Sequence, residues 1–148
     1  MTAALEQLGE GANGVISDAA SLSAIDDLTD RVKADFGTVH ALFVNAGITG
    51  FAPFQSTSEK MYEEIMTVTT KGPYFTVQKL ASLLLEGSGV VFTTSALNVI
   101  GYPMVSAYAA SKAALRSMTR SLARELLDRK IRVNAVSPGP INDLSLIH

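Results

Sequence analysis

Gly87 to Lys112 reads GSGVVFTTSALNVIGYPMVSAYAASK, and from Gly87 to Ser111 it holds 25 residues without a single charge. That length could cross a bilayer. Its content argues otherwise: Thr93, Thr94, Ser95, Asn98, Gly101, Pro103 and Ser106 interrupt it with polar and helix-breaking side chains. The stretch therefore predicts a strand over Val90-Val91-Phe92-Thr93, a loop, and the start of a helix. The strand is apolar at successive positions, as one covered on both faces would be.

The same alternation continues on either side. Val15-Ile16-Ser17, Ala41-Leu42-Phe43-Val44 and Ile131 to Val136 are further runs of strand length. Between them lie segments of helical period. Leu22, Ile25, Leu28 and Val32 repeat within Ser21 to Phe36, with Ser21 or Ser23 as N-cap and Gly37 as C-cap. Ser58 to Leu85 reads as one long helix or two abutting ones stepped at Gly72-Pro73, and Val105 to Leu127 as another helix. Strands alternating with helices predict an α/β fold with a Rossmann-like parallel sheet of about four strands, an incomplete doubly wound architecture.

Composition supports one domain over residues 1–148 and narrows the function classes. The chain is 47% apolar with a net charge of −2 from 12 basic and 14 acidic residues, so it can bury a core. It has no basic block to hold a nucleic-acid backbone or an anionic membrane. It has no Cys, and its two His, His40 and His148, stand apart, so neither a thiolate nor a metal centre is expected. The first residues lack a basic and apolar leader, which makes the cytoplasm the expected location.

Two motifs carry chemistry on their face. Gly9-Glu10-Gly11-Ala12-Asn13-Gly14 spells G-x-G-x-x-G, but it follows a helical segment, Thr2 to Leu8, and precedes an expected strand. A phosphate-binding turn needs the reverse order, strand then helix, so this is read as a helix-to-strand turn. Tyr108 and Lys112, at i and i+4, share one helix face, where an ammonium beside a phenol favours the phenolate and suits the Tyr to proton transfer. Ser95, the Asn45-Ala46-Gly47 turn and Pro138-Gly139 each follow a predicted strand, at the sheet edge where α/β folds build sites. Taken singly, Asn45 is also a turn former, Ser95 a strand-end hydroxyl, and Asp18 a helix cap or Asx-turn residue.

In this order and spacing, Asp18, Asn45-Ala46-Gly47, Ser95, Tyr108-x-x-x-Lys112 and Pro138-Gly139 resemble the short-chain dehydrogenase/reductase family, over about residues 3–143. The resemblance implies hydride exchange between NAD or NADP and a ketone, aldehyde or alcohol. Tyr108 would donate the proton, Lys112 would favour its phenolate and bind the nicotinamide ribose, and Ser95 would bond the carbonyl oxygen. Asp18 would face the adenine, Asn45 the adenosine ribose, and Asn98, Tyr102, Met104 and Val105 would line the substrate pocket.

The pattern departs from the family in places. Thr69 stands where the family commonly has a catalytic Asn, and Asp143 where a Thr often holds the nicotinamide amide. The family's phosphate-binding turn and first two strands would precede residue 1, and residues 143–148 do not resemble it; the expectation is a chain truncated at both ends. With those strands missing, Val15-Ile16-Ser17 would slide in beside Ala41 to Val44 or pair with another chain. One sheet face would lose its helices, exposing Leu42, Val44, Val91 and Val133 or their alternating neighbours. A homo-oligomer burying that face follows. Three functional readings stand: a nicotinamide-dependent reductase weakened in cofactor binding, cofactor-independent aldol-type carbonyl chemistry at Lys112 and Tyr108, and a non-catalytic oligomeric fragment.

Overall fold

The computed structural model describes residues 2–140. Helix α1 (Thr2–Leu8) leads through a glycine turn and an extended stretch into α2 (Leu22–Phe36). Strand β1 (Val39–Val44) is followed by α3 (Glu59–Met66), a π-helical turn over Thr67–Lys71, and α4 (Gly72–Leu80). Then come β2 (Leu84–Thr93), a short 3-10 turn at Ala96–Asn98, α5 (Ser106–Glu125) and β3 (Arg132–Val136).

Local chemistry sets the helix ends. The Ser21 hydroxyl accepts from Ala24 N at 3.2 Å to start α2, and Gly37, at φ 70°, stops it by donating its N–H to Lys33 O. The left-handed conformation at that position suits glycine, which has no Cβ to clash. Ser58 caps α3 in the same way through Met61 N. Pro73 cannot donate a backbone hydrogen bond, and the wide π turn immediately before Gly72-Pro73 carries the step between α3 and α4. Gly72 is also forced by packing: a Cβ there would lie 2.2 Å from Ala19 O.

Among the described residues the sheet has three parallel strands in the order β1-β2-β3, where about four were expected. Val15-Ile16-Ser17 joins no ladder among the described residues, and Ile16 is 88% exposed. It neither slides in beside β1 nor counts as a strand, because a strand exists only through a neighbour's amides and carbonyls. The register aligns Leu42 with Val90 and Val133, and Phe43 with Val91 and Asn134. Near its start β1 breaks register, with Val39 opposite Leu84 but Ala41 opposite Gly89, and Ser88 Oγ donates to Val39 O across the irregularity at 2.9 Å.

The core lies between one sheet face and the helices. Val44, Val90, Phe92 and Val133 pack with Val77 of α4 and Leu115 of α5. On the opposite face Ala41, Arg132 and Asn134 are exposed, and Phe43 is 63% exposed. Leu42, Val44 and Val133 thus turn toward the helices, while Val91 shares the open face with Phe43, so the four residues named together from the sequence divide between the two faces. The pleat explains the division: Leu42 pairs with Val90, which puts the next residue, Val91, on the other side.

Candidate functional site

The three strands end on the same side of the sheet, and their last residues meet the first turns of α5. A cleft of about 320 Å3 is lined by Asn45 and Gly47 after β1, Ser95 after β2, Pro138 and Gly139 after β3, and Tyr108 and Lys112 of α5. Ala46, Asp18 and Thr69 are not among its walls. Ala46 borders a smaller hollow of about 170 Å3 beside Ser17, Ala19 and Pro73. Asp18 forms an Asx turn, its Oδ1 accepting from Ala20 N at 2.8 Å and its carbonyl from Ser21 N at 3.0 Å, which leads into the cap of α2.

Lys112 is buried, and its Nζ donates to Thr93 O, the last carbonyl of β2, at 2.7 Å. Burial in a place poor in water pushes the ammonium below its usual pKa. The same Nζ lies 5.7 Å from the centroid of the Tyr108 ring. Asn45 joins the β1 and β2 ends, its Oδ1 accepting from Thr93 Oγ1 at 2.8 Å. Gly47 lies against the base of the cleft, where a Cβ would sit 3.3 Å from Lys112 Nζ and 3.5 Å from Thr69.

Thr69 is fully buried in the π turn. Its hydroxyl donates to Ile48 O and accepts from Ile48 N, both at 3.1 Å, so its only proton is committed to the backbone of the loop after β1. Its neighbour Thr70 donates to Ser111 O of α5 at 3.3 Å. The π turn therefore ties the β1 loop to α5, a role that the sequence pattern did not reveal. Thr93 was missed too, because it acts through its carbonyl and any residue type could supply one.

Ser95 Oγ accepts from Leu97 N at 3.2 Å, and its own proton has no acceptor among the described residues. Beside Ser95 and Tyr108 the cleft widens into a second, apolar hollow of about 740 Å3, walled by Phe51, Leu97, Ile100, Tyr102, Val105 and Pro140. Tyr102 and Val105 line this hollow, while Asn98 and Met104 are not among its walls.

Gly9 and Gly11 adopt φ 80° and 94°, and Gly9 N donates to Leu5 O, closing the end of α1. The G-x-G-x-x-G run thus follows a helix and leads into extended chain rather than opening a helix. Asp143 lies outside the described residues. Among the described residues no helix is long and apolar enough to cross a membrane, and no cluster of three or more His, Asp or Glu is placed to hold a metal.

Residues 1–146 match the family profile described as enoyl-(acyl carrier protein) reductase. Galactitol 2-dehydrogenase of Agrobacterium fabrum is 31% identical over 144 residues, covering 95% of this chain and 56% of that one. A 3alpha-hydroxysteroid dehydrogenase of Mediterraneibacter gnavus is 36% identical over 146 residues, covering 92% and 57%. Among solved structures, a short chain dehydrogenase from Burkholderia cenocepacia in complex with NADP superposes with a TM-score of 0.86 at 36% identity, over 93% of this chain and 56% of that one. The chain spans about half the length of the curated relatives it matches.

Proposed function

The chain belongs to the short-chain dehydrogenase/reductase family, and from that membership we propose that its site serves the NAD(P)-dependent reduction of a carbonyl compound or the reverse oxidation of an alcohol. The observation that carries this reading is the meeting of Ser95, Tyr108 and Lys112 around one cleft with Asn45, Gly47, Pro138 and Gly139. The nicotinamide end of the coenzyme fits these residues: Gly47 leaves open the space beside Lys112 that a Cβ would fill. For the phosphate end, no glycine-rich turn opens a helix behind a strand among the described residues. The coenzyme, when bound, supplies the hydride for the carbonyl carbon.

The protein's own part concerns the substrate oxygen. As negative charge gathers there, Ser95 donates its free hydroxyl proton as a hydrogen bond and Tyr108 transfers its phenolic proton, completing the alcohol. Lys112, fixed by Thr93 O, presents positive charge beside the phenol at the moment it becomes phenolate. The apolar hollow favours a substrate whose non-reacting part is hydrophobic over a polyol, since it offers few polar groups to replace those a polyol would lose to water. Tyr108→Phe removes the transferable proton, and a fall in kcat of about 100-fold or more is expected, with coenzyme binding retained. Calorimetry with NADH and NADPH is the wider check: no heat and no protection against unfolding with either would leave the reading without support.

A second reading is favoured by the lowered pKa of Lys112. In its deprotonated form such an amine can attack a carbonyl and, with loss of water, form a Schiff base, as in aldol-type chemistry that needs no coenzyme. Borohydride trapping of a ketone on Lys112 distinguishes the two, and failure to form the adduct counts against it. We also read the chain as a homo-oligomer whose open sheet face, with Phe43 exposed, is covered by a second copy. A monodisperse monomer by light scattering at micromolar concentration contradicts that.

A further inference from the structure

A chain of side-chain hydrogen bonds runs behind Ser95, and every proton in it can be assigned. Thr94 Oγ1 lies 2.8 Å from Val136 O, and since a carbonyl only accepts, Thr94 must donate its one proton there. Ser137 Oγ lies 2.5 Å from Thr94 Oγ1 and must therefore be the donor in that pair. The lone pair left on Ser137 accepts from Asn98 Nδ2 at 3.2 Å, and the same amide group donates to Ser95 O. The direction is fixed from Asn98 through Ser137 and Thr94 to Val136. Such one-way chains polarise each member in turn and strengthen one another.

The chain closes a specific gap. Backbone bonds from Thr94 N to Val136 O and from Ala96 N to Pro138 O, each 2.8 Å, prolong the β2–β3 pairing past the strand ends. Ser95 lies between those two bonds, and its hydroxyl is aimed by the Leu97 amide. Asn98 holds the far side of that turn: its backbone N–H donates to Ser95 O at 2.9 Å, and its side-chain Oδ1 is buried with no partner among the described residues, so the two Nδ2 bonds set the amide's orientation. Thr94 is almost fully buried.

We propose that Asn98, Ser137 and Thr94 are positioning residues that aim the Ser95 hydroxyl into the cleft and fix its distance from Pro138 and Gly139. This rests on the reading of Ser95 as donor to the substrate oxygen. Asn98 and Ser137 are not among the walls of the cleft, and Thr94, which borders it, has its hydroxyl committed to Val136 O and Ser137; each acts through the Ser95 turn. The device is a buckle across 39 to 43 residues of sequence, joining the β2 exit to the β3 exit.

The test uses the full chain and two measurements. The first is the amide proton resonance of Leu97, which reports its bond to Ser95 Oγ. In Asn98→Ala, Ser137→Ala and Thr94→Val this resonance is expected to move toward its position in Ser95→Ala, and Thr94→Ser, which keeps the hydroxyl, is expected to restore it. The second is turnover of trans-1-decalone and cyclohexanone with NADH or NADPH, where kcat should fall roughly 10- to 100-fold in the three variants while the KM for coenzyme holds. Lower thermal stability with an unmoved Leu97 resonance would make the chain a structural clasp only and overturn the proposal, as would variants that turn over within twofold of the parent. Should the parent reduce neither ketone, the reductase reading falls, and the Leu97 resonance alone decides the positioning role.

Discussion

Lys112 places an ammonium where water is scarce, and that has a measurable pH signature. Burial disfavours its charged form, so the folded chain binds this proton less tightly than the unfolded chain does. Below the lowered folded pKa the cost is present in full. As pH rises from there toward the ordinary Lys value of about 10.4, the unfolded state holds more protons and stability rises. Lys112→Met is expected to flatten this slope in urea midpoints measured between neutral pH and pH 10. Thr69 is another buried polar residue with a decisive partner. Thr69→Val leaves Ile48 N and O without their shared hydroxyl, a loss of about 1–3 kcal/mol by denaturant titration. At this scale the side chains proposed for the chemistry were legible, since Ser95, Tyr108 and Lys112 share a cleft. The backbone carbonyl of Thr93 and the pair of hydrogen bonds made by Thr69 were not, because neither depends on a pattern that repeats along the chain.

Elements were read well where a local signal defines them. Ser21 and Gly37 bound α2, and the Gly72-Pro73 step marks where α4 begins. Reading failed where an element needs a distant neighbour: Val15-Ile16-Ser17 has strand composition and no strand to pair with, while β2 begins at Leu84, inside what reads as helix. The junction at Gly72 gives an element-scale prediction. In Gly72→Ala the new Cβ meets Ala19 O, which is backbone and cannot swing aside, so α4 or the turn before α2 must shift. The expected destabilisation is about 1–3 kcal/mol. Gly101→Ala is the control: nothing lies within 4 Å of its Cβ, so its effect should stay within about 0.5 kcal/mol in thermal melts.

The whole molecule presents helices to one side of its sheet and leaves Phe43 and Val136 exposed on the other. If that face is where copies meet, Phe43→Ser should lower the apparent mass in light scattering while leaving the thermal midpoint of the dissociated chain nearly unchanged. The reason is that Phe43 contributes little to the monomer's own core. An unchanged mass would place the contact elsewhere.

The parallel sheet also dictates an order of assembly. Phe43 meets Val91, and Val91 meets Asn134, only after intervening helices have folded back across the sheet. Neither contact can be made by a local hairpin, so the chain must close long loops before any pairing rewards it. Refolding should therefore be slow beside that of a helical bundle of similar size, with β2, the central strand, fully protected from hydrogen exchange only once both crossovers are made. Until then its backbone is open to any strand that arrives first, which makes the rate of synthesis and the local concentration part of what decides whether this sheet forms correctly.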